Sequence, residues 1–133
     1  MEEIGGAFGE IGLLCIIFLV SRPILQAVVE SLRKRGKTLP TWLKKTSQFV
    51  TRNHRYAGLV ALLAIALHFI LQYLNYDDVP VAGLIAFLLL AVQTALGFGM
   101  TRQKDKERRK KMALLHRVMG IAIVVAVMVH RLS

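Results

Sequence analysis

All four histidines of this 133-residue chain lie in two apolar stretches and keep the same spacing. HRYAGLVALLAIALH begins on His54 and ends on His68, and HRVMGIAIVVAVMVH begins on His116 and ends on His130. On an α-helix, 14 residues make about 40° less than four turns and rise roughly 21 Å. Each stretch therefore places two imidazoles on one face of a helix, at two levels.

Two imidazoles at each of two levels could hold metal centres if the two helices run parallel. His54 would then lie level with His116, and His68 level with His130. A bare ion such as zinc needs three or four protein ligands at one point, whereas haem iron needs only two axial ligands. A single histidine in a membrane helix is more often a hydrogen-bonded polar residue, but the repeated spacing favours ligation. We therefore predict two non-covalent haem b groups, with these four histidines as the iron ligands.

The elements that must position the histidines are membrane helices. The chain is 55% hydrophobic with a mean hydropathy of +0.52, which is too apolar for a soluble domain of this length. Its long apolar runs predict one all-α domain over 1–133, a transmembrane four-helix bundle. The helices are expected at about 4–32, 54–75, 79–100 and 111–131.

The basic residues predict the orientation of the bundle. Of the 18 Lys and Arg residues, eight lie in 33–55 and eight in 101–117. The positive-inside rule places the two basic loops, predicted at about 33–53 and 101–110, in the cytoplasm, and both termini outside. Nucleic acid is not an expected partner, since the basic residues flank membrane spans. Membrane lipids are expected partners, in a bacterial or archaeal cytoplasmic membrane.

Part of the first basic loop has helical periodicity. TWLKKTSQFVTR places four apolar side chains at roughly helical spacing: Trp42, Leu43, Phe49 and Val50. This pattern predicts a short amphipathic helix lying along the lipid headgroups.

The two histidine stretches also resemble each other. Both open with HRxxG, and His, Arg, Gly and the second His are all offset by 62 residues. This offset indicates a duplicated two-helix unit.

Small residues occur where a flat macrocycle would need space. Gly58 and Gly120 lie one turn after the first histidine of each stretch, and Gly83 and Gly97 on the third helix are also 14 apart. We interpret these four glycines as haem clearance, although glycine in membrane helices also serves close helix packing. The space between the two haems would be filled by Ala61, Ala64, Ile123 and Val127.

Arginines lie beside the predicted ligands. Arg55, Arg117 and Arg131 each follow a histidine directly, where they could pair with haem propionates or anchor helix ends in the interface. Arg22 lies inside the first predicted helix and needs an anion. The candidates are a haem propionate, Glu10 and Glu30.

These features resemble the diheme four-helix core of b-type membrane cytochromes, which carries histidine pairs 14 apart on its second and fourth helices and matched glycines on the first and third. The third helix conforms through Gly83 and Gly97. The first departs from the pattern, because its glycines crowd one end. The HRxxG openings are similar to those of the ferric reductase and NADPH oxidase transmembrane domain. The resemblance covers residues 54–130.

The resemblance implies transmembrane electron transfer from a cytoplasmic reductase or a quinol to an acceptor on the outer side. The protein would then be an oxidoreductase or electron-transfer subunit, ferric reductase-like or quinol-dependent. Two other functions stay open: a non-redox membrane anchor or assembly subunit of a larger complex, and a proton or metal transporter that uses membrane histidines. The sequence also leaves open a homodimer or a place in a larger complex.

Overall fold

The chain folds into four α-helices in the computed structural model, which describes residues 2–78 and 80–133. They are α1 Glu2–Lys34, α2 Thr41–Tyr76, α3 Val81–Arg102 and α4 Lys106–Leu132. All four are long and apolar enough to cross a membrane. The predicted all-α four-helix transmembrane fold is confirmed, and by these criteria the chain is an integral membrane protein.

The helices run further than hydropathy predicts, and the loops are shorter. α2 begins at Thr41 and α4 at Lys106, so the predicted loops 33–53 and 101–110 shrink to 35–40 and 103–105. Hydropathy marks where a helix leaves the apolar layer, whereas Lys, Arg and Gln continue a helix readily in water.

Local capping sets the true helix ends. Gly36 has φ 66°, and the chain after α1 closes with bonds from the N–H of Gly36 to the carbonyl of Arg33 and from the N–H of Lys37 to that of Leu32. This is a Schellman motif, which a glycine in the left-handed region favours. At the start of α4 the Asp105 carboxylate accepts from two backbone N–H groups, at 2.8 and 3.2 Å.

The predicted amphipathic segment is helical but does not form a separate helix. It makes up the first turns of α2, with Leu43 and Val50 buried. The ring of Phe49 meets that of Phe18 of α1 edge to face, with centres 6.2 Å apart. Leu43 and Val50 are two turns apart, so they share one face, and that face packs inside the protein rather than along the headgroups.

The packed centre of the bundle takes one residue from each helix: Ile16, Ala61, Leu90 and Ile123. Ala61 and Ile123 each lie seven residues from both histidines of their helix. Ala64 is also buried, and Val127 packs against the central cluster. Ala61, Ala64, Ile123 and Val127 thus pack between the two histidine levels, and their predicted place between two haems stays a prediction.

The helices pair as two hairpins. α1 packs mainly against α2 and α3 against α4, with a smaller interface between α2 and α3. In the described part of the chain, the backbones of α2 and α4 make few or no close contacts, although these two helices carry all the histidines. Glu10 and Arg131 form an ion pair, so the two termini lie at one end. We call this end of the bundle the acidic end and the opposite one the basic end. The duplication of a two-helix unit and the outward orientation of the termini stay predictions.

Gly12 sets the close approach of α1 to α2, and this can be tested. A Cβ at Gly12 would lie 2.5 Å from Cγ1 of Ile65. We expect Gly12→Ala to lower the free energy of unfolding in detergent by about 1 to 3 kcal/mol, through overpacking. In an Ile65→Ala background, which removes Cγ1, the cost should largely vanish. Gly6→Ala is the control, because its Cβ would meet nothing within 4 Å. Equal stability of the Gly12 and Gly6 variants would contradict this packing.

Candidate functional site

The four histidines form two facing pairs, as the spacing predicts. The ring centres of His54 and His116 are 6.3 Å apart with planes at 64°, at the basic end. Those of His68 and His130 are 6.4 Å apart with planes at 74°, at the acidic end. We call them the basic-end pair and the acidic-end pair.

The separation of the rings fits one metal ion between each pair. A metal to imidazole bond is about 2.0 to 2.1 Å long and the ring centre lies about 1.1 Å beyond the bonded nitrogen, so two imidazoles on opposite sides of one ion have centres about 6.3 Å apart. A direct hydrogen bond of about 2.9 Å between the rings would bring the centres to about 5 Å. Both measured separations match the first arrangement.

Each histidine pair offers two protein ligands in the described part of the chain. Among residues 2–78 and 80–133, no group of three or more His, Cys, Asp or Glu side chains is placed to hold a metal ion. Zinc and similar ions need three or four such ligands. Two imidazoles per level fit a macrocycle that already supplies four nitrogens.

The imidazoles differ in their hydrogen bonds. Nδ1 of His68 lies 2.7 Å from the carbonyl oxygen of Gly5. Since a carbonyl only accepts, Nδ1 donates, and Nε2 stays free for a metal. The Nδ1 atoms of His54, His116 and His130 are buried without a hydrogen-bond partner. Buried polar atoms without partners are uncommon, so these three nitrogens require partners that the described residues do not supply.

A cavity of about 560 Å³ opens at the acidic-end pair. His68 and His130 line it together with two phenylalanines, Phe69 and Phe87, whose rings stack 5.6 Å apart. Its volume lies in the range of sites for organic cofactors, about 300 to 1,000 Å³. The cavity can accommodate a large flat ligand beside both imidazoles.

Glycines make room for the imidazole rings themselves. A Cβ at Gly83 would lie 3.0 Å from Cε1 of His130, and one at Gly97 would lie 3.5 Å from Cε1 of His116. The α3 glycines thus sit beside the predicted ligands of α4. The structure shows that these glycines lie against the histidine rings. Their role in haem clearance stays a prediction.

Sequence reasoning missed Gly9 on α1. A Cβ there would lie 3.0 Å from Nδ1 of His68, so α1 contributes to the acidic-end pair despite its departure from the cytochrome pattern. The signal was present, since Gly5, Gly9 and Gly12 follow at intervals of four and three, which place them on one helix face.

The glycines that follow the first histidine of each stretch differ in surroundings. A Cβ at Gly58 would meet nothing within 4 Å, whereas one at Gly120 would lie 3.4 Å from Nε2 of Gln93. The amide of Gln93 donates to the carbonyl of His116 at 2.7 Å. Gln93, which sequence reasoning also missed, therefore fixes the backbone at a predicted ligand, and Gly120 makes room for it.

Two of the arginines beside the predicted ligands have protein partners. The guanidinium of Arg55 lies over the ring of Phe98, 5.0 Å from its centre. Arg131 pairs with Glu10 at 2.5 Å, at the rim of the cavity. Arg55 thus fits an anchoring role, while Arg131 lies where a propionate could also reach it. Arg117 is exposed and close to Arg22.

Together the fold and the site define a helical integral membrane protein with two facing histidine pairs at two depths. Comparison with protein-family models, with curated proteins and with solved structures gives no significant match to this chain. Its function must therefore be argued from its own geometry.

Proposed function

We propose that this protein carries electrons across a membrane through two stacked b-type haems. One haem would be held by the basic-end pair, His54 and His116, and the other by the acidic-end pair, His68 and His130. The observation that carries the proposal is the separation of the two pairs of ring centres, 6.3 and 6.4 Å. Both values suit two imidazoles bound to one iron.

The spacing along the helices suits transfer between the two sides. Fourteen residues of helix separate the two levels by roughly 21 Å, so each pair lies near one face of an apolar layer about 30 Å thick. The packed centre between them is formed by apolar residues alone: Ile16, Ala61, Leu90 and Ile123. This apolar centre blocks the passage of water and ions between the two histidine pairs.

The residues of the chain bind and orient, while a haem when bound supplies one-electron chemistry at its iron. The two histidines of each pair would hold one haem. The Gly5 carbonyl fixes the ring of His68, and the α3 glycines allow the α4 rings to approach. Electron exchange at the cofactor edge is the expected mode, from a cytoplasmic reductase or a quinol to an acceptor on the outer side.

Orientation follows from charge. Sixteen of the 18 Lys and Arg residues lie in 33–55 and 101–117, on the helix ends and short connections of the basic end, which favours a cytoplasmic location for that end. The acidic end, with Glu2, Glu3 and Asp77, would then face outward. A bacterial or archaeal cytoplasmic membrane fits this arrangement.

Cysteine labelling tests the orientation. In a Cys15→Ser background, Asp77→Cys should react with a membrane-impermeant maleimide on intact cells, whereas Lys104→Cys should react only after the cells are permeabilised. Both positions are exposed in the structure. The opposite labelling pattern would contradict the proposed direction of the bundle.

Vesicles test the proposed function itself. The protein is reconstituted with haem into liposomes that enclose ferricyanide, and an impermeant reductant is added outside. Reduction of the enclosed ferricyanide should exceed that of protein-free liposomes, and His68→Ala should abolish the difference because one of the two haems is lost. A rate equal to that of protein-free liposomes, with haem bound, would rule out transmembrane transfer.

A further inference from the structure

Arg22 is a cation within α1 that forms no ion pair with the described residues. Its side chain is partly buried, and Nε is fully enclosed without a hydrogen-bond partner in the described part of the chain. A guanidinium in an apolar layer needs a charged or strongly accepting partner to offset the loss of water. The described residues leave this requirement unmet at Nε.

The neighbours of Arg22 identify its position. Gly9 and Gly12 of α1 lie beside His68 and Ile65 of α2, so the same antiparallel register places Arg22 beside His54. Arg22 therefore lies at the basic-end pair. Arg117 follows His116 directly on α4, so a second guanidinium starts from the same level of the bundle.

The carboxylates suggested by the sequence are not available to Arg22. Glu10 pairs with Arg131 at the acidic end. Glu30 is exposed and lies eight residues further along α1, which is about 12 Å of helix. Of the three candidate anions, a haem propionate remains.

We propose that Arg22 binds a propionate carboxylate of the haem held by His54 and His116, with Arg117 as a second cation beside it. This inference rests on the proposed function. A guanidinium donates two parallel hydrogen bonds to a carboxylate. The Nε of Arg22 has no other partner among the described residues, so it is available as one of these two donors. Arg22 is thus a positioning residue that fixes the basic-end haem against α1.

The same cation sets the reduction equilibrium of that haem. Positive charge nearby stabilises the reduced, less positive iron. Loss of the charge at residue 22 should therefore shift the reduction equilibrium of the basic-end haem by about tenfold toward the oxidised form. For a one-electron couple this lowers the midpoint potential by about 59 mV. The haem at the acidic end should change far less.

Redox titration of two variants tests the role of Arg22. Arg22→Gln removes the charge and Arg22→Lys keeps it, and both are compared in a His130→Ala background that retains only the basic-end haem. Arg33→Gln is the matched control, since it removes the same charge from α1 about 16 Å further along the helix. We expect Arg22→Gln to lower the midpoint potential of the basic-end haem or to release this haem. Arg22→Lys and Arg33→Gln should keep a midpoint potential near that of the parent protein.

The outcomes separate three explanations. The proposal is overturned if Arg22→Gln retains the basic-end haem and this haem has the same midpoint potential as in Arg33→Gln. If Arg22→Lys loses both haems from the otherwise unchanged protein, the side chain is structural and the proposal is also overturned.

A lipid phosphate could supply the same anion, so each titration is repeated in phosphatidylcholine with and without phosphatidylglycerol. An effect confined to the anionic lipid assigns Arg22 to lipid instead. Absence of haem from the unmodified protein would instead reject the proposed function.

Discussion

Replacement of His68 or His130 by alanine should remove one of two haems per chain and leave the other intact. His68 and His130 would together hold the acidic-end haem, and the other two histidines of the chain lie roughly 21 Å along their helices, too far to replace either. His54→Ala and His116→Ala should remove the basic-end haem instead. Quantitation of haem against protein, with a redox titration of what remains, measures both effects.

The neighbouring residues provide controls for the histidine variants. Leu67→Ala and Val129→Ala alter exposed side chains directly beside His68 and His130, and both should keep two haems. The two acidic-end variants should leave the same redox wave, and the two basic-end variants should leave the other. Loss of both haems from every histidine variant, or of neither from any, would contradict two independent pairs.

Gly83→Val should also empty the acidic-end site. A Cβ at Gly83 already lies 3.0 Å from the ring of His130, and valine adds two methyl groups toward an imidazole that must hold its position. Overpacking of this kind costs about 1 to 3 kcal/mol, which is roughly 5- to 150-fold in a binding constant. Gly9→Val should act in the same way from α1, through His68. Haem content and the acidic-end redox wave report the loss.

A valine elsewhere on α3 separates a local clash from general disturbance. Ala95 is exposed on the same helix, so Ala95→Val adds similar bulk away from the histidines and should retain both haems. The basic-end haem serves as a second reference within each Gly83 variant. Full occupancy of the acidic-end site in Gly83→Val would show that α3 does not pack on the ligand ring.

The pairing of the histidines could be predicted because the 14-residue interval gives a shared face and a height on each α-helix, and two crossings between the histidine helices make them parallel. Ala61 and Ile123 follow from the same interval, since they lie at its midpoint. The four-helix fold followed from the apolar runs. Each of these inferences uses a periodicity that lies within a single helix.

The features that sequence missed depend on how one helix meets another. Gly9 contacts His68 only because α1 and α2 pack antiparallel in one register, which no spacing within α1 specifies. Gln93 reaches the carbonyl of His116 across a helix interface. The helix ends were misplaced for a different reason: Gly36 and Asp105 determine them by local hydrogen bonding, whereas hydropathy reports only the apolar layer.

The haem content and absorption spectrum of the purified protein test the central claim most directly. The protein is expressed with ample haem, purified in detergent and reduced with dithionite. Two facing imidazole pairs predict two haems per chain and the sharp bands of low-spin b-type haem. A polypeptide that is folded and helical but shows no Soret absorption would contradict the account.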